Sequence, residues 1–167
     1  FYVLIFIIGF GAITLVLNAL LEPGDRLVVP HDAYGGSWRL FNALAKKGHF
    51  ELITADLTDP RSLSDALAQS PKLVLIETPS NPLLRITDLR FVIDAAHKAG
   101  ALTVVDNTFL SPALQKPFEF GADVVLHSTT KYINGHSDGV GGAVIAREKE
   151  TLETLAWWAN ALGLTGS

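Results

Sequence analysis

Lys131 stands in a run, Asp123 to Ser137, where a short apolar stretch gives way to hydroxyls, one lysine and a glycine turn. Val124, Val125 and Leu126 have the length and β-branching of a buried strand, which puts Ser128, Thr129, Thr130 and Lys131 just beyond its end. In open α/β sheets ligands bind in that position. A lysine near neutral pH is a poor nucleophile until desolvation or a neighbouring cation lowers its pKa, so one set behind an apolar strand is a candidate reactive amine. A solvated lysine in a polar turn would show the same residues. A second strand-like run, Leu102 to Val105, ends in Asp106, Asn107, Thr108 and Phe109, and so places a carboxylate at a second strand end.

An amine and a carboxylate so placed are what pyridoxal phosphate needs. The amine holds the cofactor covalently as a Schiff base, and the carboxylate keeps the pyridine nitrogen protonated so that the ring draws electrons. Its phosphate needs donors, which the hydroxyls of Ser128 and Thr130 and a helix N-terminus can supply. Tyr34, in the loop Asp32-Ala-Tyr-Gly-Gly36, can stack on such a ring and pass a proton through its phenol, or simply pack its loop. Asn81 can bond the cofactor's phenolic oxygen; an Asn-Pro turn with a structural role explains it equally well.

Strands and helices alternate around these residues. Leu27 to Val29 and Phe50 to Thr54 read as strands, with a helix through Trp38, Leu40, Phe41 and Leu44 between them that Gly48 ends. Asp59-Pro60 reads as an N-cap followed by proline at the first helical position. The strand Leu73 to Ile76 leads into Glu77-Thr-Pro-Ser-Asn-Pro82, a stiff loop because each proline fixes its own φ and restricts the residue before it. Asp88 caps a helix whose apolar positions Leu89, Val92, Ile93 and Ala96 step by three and four until Gly100. Such alternation predicts a mostly parallel sheet with right-handed crossovers, whose strand ends gather Tyr34, Asn81, Asp106 and Lys131 on one edge. Gly135, Gly139, Gly141 and Gly142 precede the strand Ala143 to Ala146 without forming a dinucleotide fingerprint, and Glu148 to Leu162 reads as a helix carrying Trp157 and Trp158.

The 167 residues suit one domain, and 49% apolar content is ample for a core. A net charge of −4 with 13 basic residues leaves no nucleic-acid footprint. With no cysteine there are no disulfides or thiolate metal sites, in keeping with a reducing cytoplasm, and five scattered histidines form no ligand pair, so no metal is expected. Phe1 to Leu21 carries no charge and by length is a membrane-span candidate; Gly9, Gly11, Thr14 and Asn18 favour a buried strand and helix instead, and no basic segment precedes it as in a signal peptide. The sequence contains no methionine, which suggests a piece of a longer protein.

Along its whole length the run Asp123 to Ser137 resembles the lysine signature of the Cys/Met-metabolism family of pyridoxal-phosphate enzymes. The similarity continues through Tyr34-Gly-Gly36, Glu77 to Pro82, Asp106-Asn-Thr-Phe-Leu-Ser-Pro112 and Ala156-Trp-Trp-Ala-Asn160, over roughly positions 9 to 167, and looks most like the family's bacterial, cystathionine-forming branch. The resemblance implies an α/β, three-layer, mostly parallel sheet of the aspartate-aminotransferase-like kind (fold type I). Residues 1–167 would then be the central part of the large cofactor domain, without the N-terminal segment and the C-terminal small domain. It implies pyridoxal 5'-phosphate on Lys131, Asp106 at the ring nitrogen, Tyr34 on the ring, Asn81 at the phenolic oxygen, and Ser128 and Thr130 on the phosphate. Where the family has a serine pair before a glycine and a methionine, this chain has Ile7-Ile8-Gly9-Phe10, which leaves the backbone amides of Gly9 and Phe10 as phosphate donors. The implied activity is cytoplasmic γ-replacement in methionine biosynthesis, in which cysteine displaces the acyl group of O-succinylhomoserine or O-acetylhomoserine to give cystathionine. Partners would be those amino acids and further copies of the chain, in a tetramer built of dimers, with no nucleic acid or membrane. A γ-lyase, an O-acylhomoserine sulfhydrylase and an inactive remnant share the same motifs, and the piece alone is expected to turn over little or nothing.

Overall fold

The computed structural model describes residues 2–6 and 9–164. In chain order it runs β1 (Tyr2–Phe6), α1 (Gly9–Leu20), β2 (Arg26–Pro30), α2 (Gly35–Lys46), β3 (Glu51–Ala55) and α3 (Pro60–Leu67). There follow β4 (Leu73–Glu77), α4 (Leu89–Lys98), β5 (Leu102–Asp106), the short α5 (Ser111–Leu114), a 3-10 turn at Pro117–Phe120, β6 (Val124–Ser128), β7 (Gly142–Ala146) and α6 (Lys149–Ala161). The fold is α/β with a mixed, mostly parallel sheet. The chain divides into two compact units, Leu21–Val105 and Phe1–Leu20 with Asp106–Ser167.

In the unit Leu21–Val105 the strands lie in the order β5-β4-β2-β3. β2 pairs in parallel with β3, from Arg26 opposite Glu51 to Pro30 opposite Ala55, and with β4 at Leu27 opposite Leu73. All five residues of β4 are buried, in keeping with the unbroken apolar run Leu73 to Ile76 that precedes its terminal Glu77. Both sequence-read caps form: Asp59 accepts from the Arg61 N–H at 3.1 Å with Pro60 opening α3, and Asp88 accepts from the Phe91 N–H at 3.1 Å. α4 buries Leu89, Val92, Ile93 and Ala96 and ends before Gly100 at φ 79°, a left-handed backbone that glycine adopts without strain. α2 starts earlier than its apolar spacing suggests. Gly35 and Gly36 form its first turn, because the N–H groups of a first turn have no intrahelical partner to lose and Gly36 packs against the core.

Loops of this unit are tied by Arg85. Its Nη2 donates to Asp56 Oδ2 at 2.7 Å and to Thr58 Oγ1 at 2.6 Å, while Nη1 lies 3.1 Å from His31 Nε2 and 3.8 Å from Asp32 Oδ2. Hydrogen bonds from Thr58, then from Arg85, hold the Asp56 carboxyl well below the ordinary carboxylate range. A pKa depressed by folding adds stability above the unfolded value, ~3.9, and that stability is lost as pH falls through the folded value. Asp56→Asn is therefore expected to lower the thermal midpoint near neutral pH and to converge with the parent as pH falls below about 4. Midpoints measured across that range check it.

In the other unit β7 lies between β1 and β6 and is antiparallel to both, with Ala146 opposite Tyr2 and Val124, and Gly142 opposite Phe6 and Ser128. The alternation seen upstream predicts parallel pairing here, and the chain departs from it because no crossover helix separates β6 from β7. α1 buries Gly11, Ala12, Ile13, Leu15, Val16 and Leu17, and α6 buries Leu155 and Ala159 one turn apart. The uncharged N-terminal stretch is thus a strand and a 12-residue helix. Among the described residues no helix is long and apolar enough to cross a membrane. Arg147 closes the base of β6, donating to the carbonyls of Ala122 at 2.9 Å and Phe118 at 2.6 Å, with its guanidinium 5.4 Å from the Phe118 ring centre.

Candidate functional site

Three of the predicted residues, Asp106, Ser128 and Lys131, are joined through one chain of hydrogen bonds that passes through Thr108. The Thr108 N–H donates to Asp106 Oδ1 at 3.0 Å, the Ser128 N–H donates to Thr108 Oγ1 at 2.8 Å, and the Lys131 N–H donates to the Ser128 carbonyl at 3.2 Å. The Asn107 N–H donates to the Leu126 carbonyl at 2.9 Å, so the segment after Asp106 is laced to β6. Asp106 keeps an accessible edge, yet the protein around it raises its carboxyl pKa by desolvation, and bonds from the Thr108 hydroxyl and N–H work against that rise. Thr108 was absent from the sequence reading as a functional residue. Its signal was its place two residues after a strand-end aspartate, where a hydroxyl residue bonds back to the carboxylate.

Gly9 opens α1 hard against Ser128. A Cβ on Gly9 would lie 2.7 Å from Ser128 Oγ, 2.8 Å from Ser128 Cβ and 3.2 Å from Ser128 Cα. Only glycine lets the helix start come this near to the end of β6, and the approach sets first-turn N–H groups beside a hydroxyl. That pairing suits an oxyanion such as a phosphate. Ile7 and Ile8, which replace the family's serine pair, lie outside the described residues. Gly9→Ala is expected to push α1 off Ser128 and destabilise the fold by about 1–3 kcal/mol. Adding Ser128→Gly, which removes the two nearest of the atoms met, Oγ and Cβ, should restore part of the loss; denaturant midpoints of the two variants check both statements.

Thr130 and Lys131 are placed less simply. The Thr130 hydroxyl accepts from the Gly141 N–H at 2.9 Å and donates to the Gly141 carbonyl at 3.2 Å, fastening the segment after β6 to the start of β7. One lone pair remains for another donor, so its hydroxyl is first of all a structural clasp here. Lys131 is exposed, not tucked behind the strand as its tuning by desolvation would require. Its backbone is nonetheless fixed at both ends, since its carbonyl accepts from Gly135 at 2.8 Å. The ring of Tyr132, next along, lies 6.0 Å from Phe109, and Asn134 bonds Asp138 at 2.9 Å.

Tyr34 and Asn81 belong to the other unit, and one side chain holds both. Glu77, at the end of β4 and 8% exposed, accepts from the Tyr34 N–H on Oε2 at 2.9 Å and from the Asn81 N–H on Oε1 at 3.0 Å. Tyr34 caps α2 without a side-chain cap bond and is 45% exposed, and Asn81 is half-buried. The loop that carries Asn81 is closed by Ser80, whose N–H donates to the Arg85 carbonyl at 3.0 Å and whose carbonyl accepts from Leu84 at 2.9 Å. Among the described residues no group of histidines and carboxylates could hold a metal ion.

A carboxylate and an amine at strand ends and an oxyanion cradle are the donor set that pyridoxal phosphate requires, and these residues fit it. The family described as Cys/Met metabolism PLP-dependent enzyme matches the chain over residues 2–167. Cystathionine gamma-synthase of Escherichia coli (strain K12) is 57% identical over 158 residues, which are 95% of this chain and 41% of that protein. Cystathionine gamma-lyase of Bacillus subtilis (strain 168) is 44% identical over 155 residues, 93% of this chain and 41% of its own length. Among solved structures, cystathionine gamma synthase from Xanthomonas oryzae pv. oryzae in complex with cystathionine superposes with a TM-score of 0.98 at 84% identity, covering 99% of this chain and 43% of that one. The chain thus spans about two fifths of the length of the relatives it matches.

Proposed function

Because the chain belongs to the Cys/Met metabolism PLP-dependent enzyme family, we propose that it forms part of the cofactor domain of a γ-replacement enzyme. In that enzyme the thiol of cysteine displaces the acyl group of an O-acylhomoserine, O-succinylhomoserine in the first instance, to give cystathionine. The observation that carries the reading is the hydrogen-bonded run from Asp106 through Thr108 and Ser128 to Lys131. It supports the reading because it fixes an acid and an amine on one short framework.

Bound pyridoxal phosphate supplies the electron sink, and the chain supplies position and charge. Lys131 would be the amine that holds the cofactor and the base that moves protons at the substrate carbons. Asp106 would keep the ring nitrogen protonated, for which it must be anionic; desolvation works against that form and the Thr108 bonds favour it. Ser128 and the N–H groups of Gly9 and Phe10 would take the phosphate, whereas the Thr130 hydroxyl, whose one proton goes to the Gly141 carbonyl, would donate to it only by giving up that bond. By the family resemblance Tyr34 would stack on the ring and Asn81 would meet its phenolic oxygen. We propose further that the working enzyme is an oligomer in the cytoplasm and that these 167 residues alone turn over little or nothing.

The B. subtilis relative, named for a lyase, supports a second reading, γ-elimination from cystathionine. Product analysis on the complete protein loaded with pyridoxal phosphate separates them. Cystathionine formed from O-succinylhomoserine and cysteine supports replacement; no such product, with cleavage of added cystathionine instead, overturns it in favour of the lyase.

A further inference from the structure

We propose that Glu77 is a positioning residue that sets the spacing between the two loops carrying Tyr34 and Asn81, an inference that rests on the cofactor reading above. β4 is buried along all five residues, and its last one is a carboxylate rather than another apolar side chain. A carboxylate in that place needs partners for both oxygens. Glu77 finds them in two main-chain N–H groups, Tyr34 at 2.9 Å and Asn81 at 3.0 Å, from segments that follow different strands. Each oxygen thus serves a different loop, so the width of one carboxylate fixes how far apart Tyr34 and Asn81 stand. Because the ties are made to main-chain N–H groups, they hold the two backbones and leave the phenol and the carboxamide to be aimed elsewhere.

A second tie runs between neighbouring parts of the same loops. Arg85 ends the turn begun by Ser80 and reaches back to Asp32, two residues before Tyr34, at 3.8 Å and to His31 at 3.1 Å. The Tyr34 segment is therefore braced to the Asn81 segment at two points, one buried and one at the surface. Bracing at two points resists a hinge motion that one would allow. Glu77 is the buried brace and lies nearer to the two residues proposed to face the cofactor, so it governs their placement.

Glu77→Gln keeps the shape and removes one acceptor, since a carboxamide accepts at its oxygen only and turns N–H groups toward the other loop's N–H. In the complete protein the variant is expected to bind pyridoxal phosphate about tenfold or more weakly, as loss of one hydrogen bond to a charged group implies. The visible circular dichroism of the bound cofactor, which reads its surroundings, should change at equal occupancy. In a Tyr34→Ala background the same substitution should cost less affinity, because one of the two placed side chains is already gone. A purely structural Glu77 would lower the unfolding midpoint while leaving cofactor affinity and dichroism at parent values, and that result overturns the proposal. Should Glu77→Gln not fold, Glu77→Asp, which keeps both acceptors on a shorter stem, is read by the same two signals. A parent protein that binds no pyridoxal phosphate overturns the cofactor reading itself, and the positioning role with it.

Discussion

Lys131→Arg in the complete protein is expected to leave no pyridoxal phosphate attached to the chain after borohydride reduction, where the parent carries it on the peptide that contains Lys131. Arginine keeps the positive charge but stays protonated at any accessible pH, so it neither condenses with an aldehyde nor accepts a proton. Loss of that general base alone lowers turnover by ~100- to 10,000-fold. Because Lys131 is exposed, its replacement should move the unfolding free energy of the cofactor-free protein by only about 0.5 kcal/mol or less. The two measurements together separate chemistry from folding. A reduced variant that still carries the label, on another lysine, would assign the amine elsewhere.

How far the site was legible in the sequence differs from residue to residue. The placement of Asp106 at a strand end and of Lys131 three residues past another was legible because each follows a short apolar run. The helices α3 and α4 were legible through Asp59-Pro60 and Asp88, whose side chains act on N–H groups within three residues. Glu77 was not. Its carboxylate reaches an N–H 43 residues upstream, a relation that no local pattern carries. The role of Gly9 was hidden for the same reason, since the Ser128 atoms that exclude a side chain there come from the far end of the chain. The antiparallel pairing of β6 with β7 had a signal that parallel alternation outweighed: the stretch from Thr129 to Gly141 holds no helical period, and a parallel neighbour needs a crossover.

Asp106→Asn is expected to lower turnover by ~100-fold or more while making the cofactor-free protein harder to unfold near neutral pH. The first effect follows from the loss of the charge that holds the ring nitrogen protonated. The second follows from linkage. Desolvation raises the Asp106 carboxyl pKa above its unfolded value despite the Thr108 bonds, so the folded state is favoured when the group is protonated and loses that advantage as pH rises through the folded pKa. An amide carries no charge to desolvate and can still accept the Thr108 N–H through its oxygen. The variant's thermal midpoint should therefore exceed the parent's near neutral pH, and the gap should close in acid below about pH 4, where the parent's carboxyl is protonated in both states. Thr108→Val, which removes the hydroxyl bond and keeps the main-chain one, should push the carboxyl further up and carry the acid limb of activity to higher pH. An Asp106→Asn protein no more stable than its parent, or one whose advantage does not depend on pH, would show that the carboxylate is not strained in the folded chain. The reason for placing it against that desolvation, to charge a bound ring, would then fall.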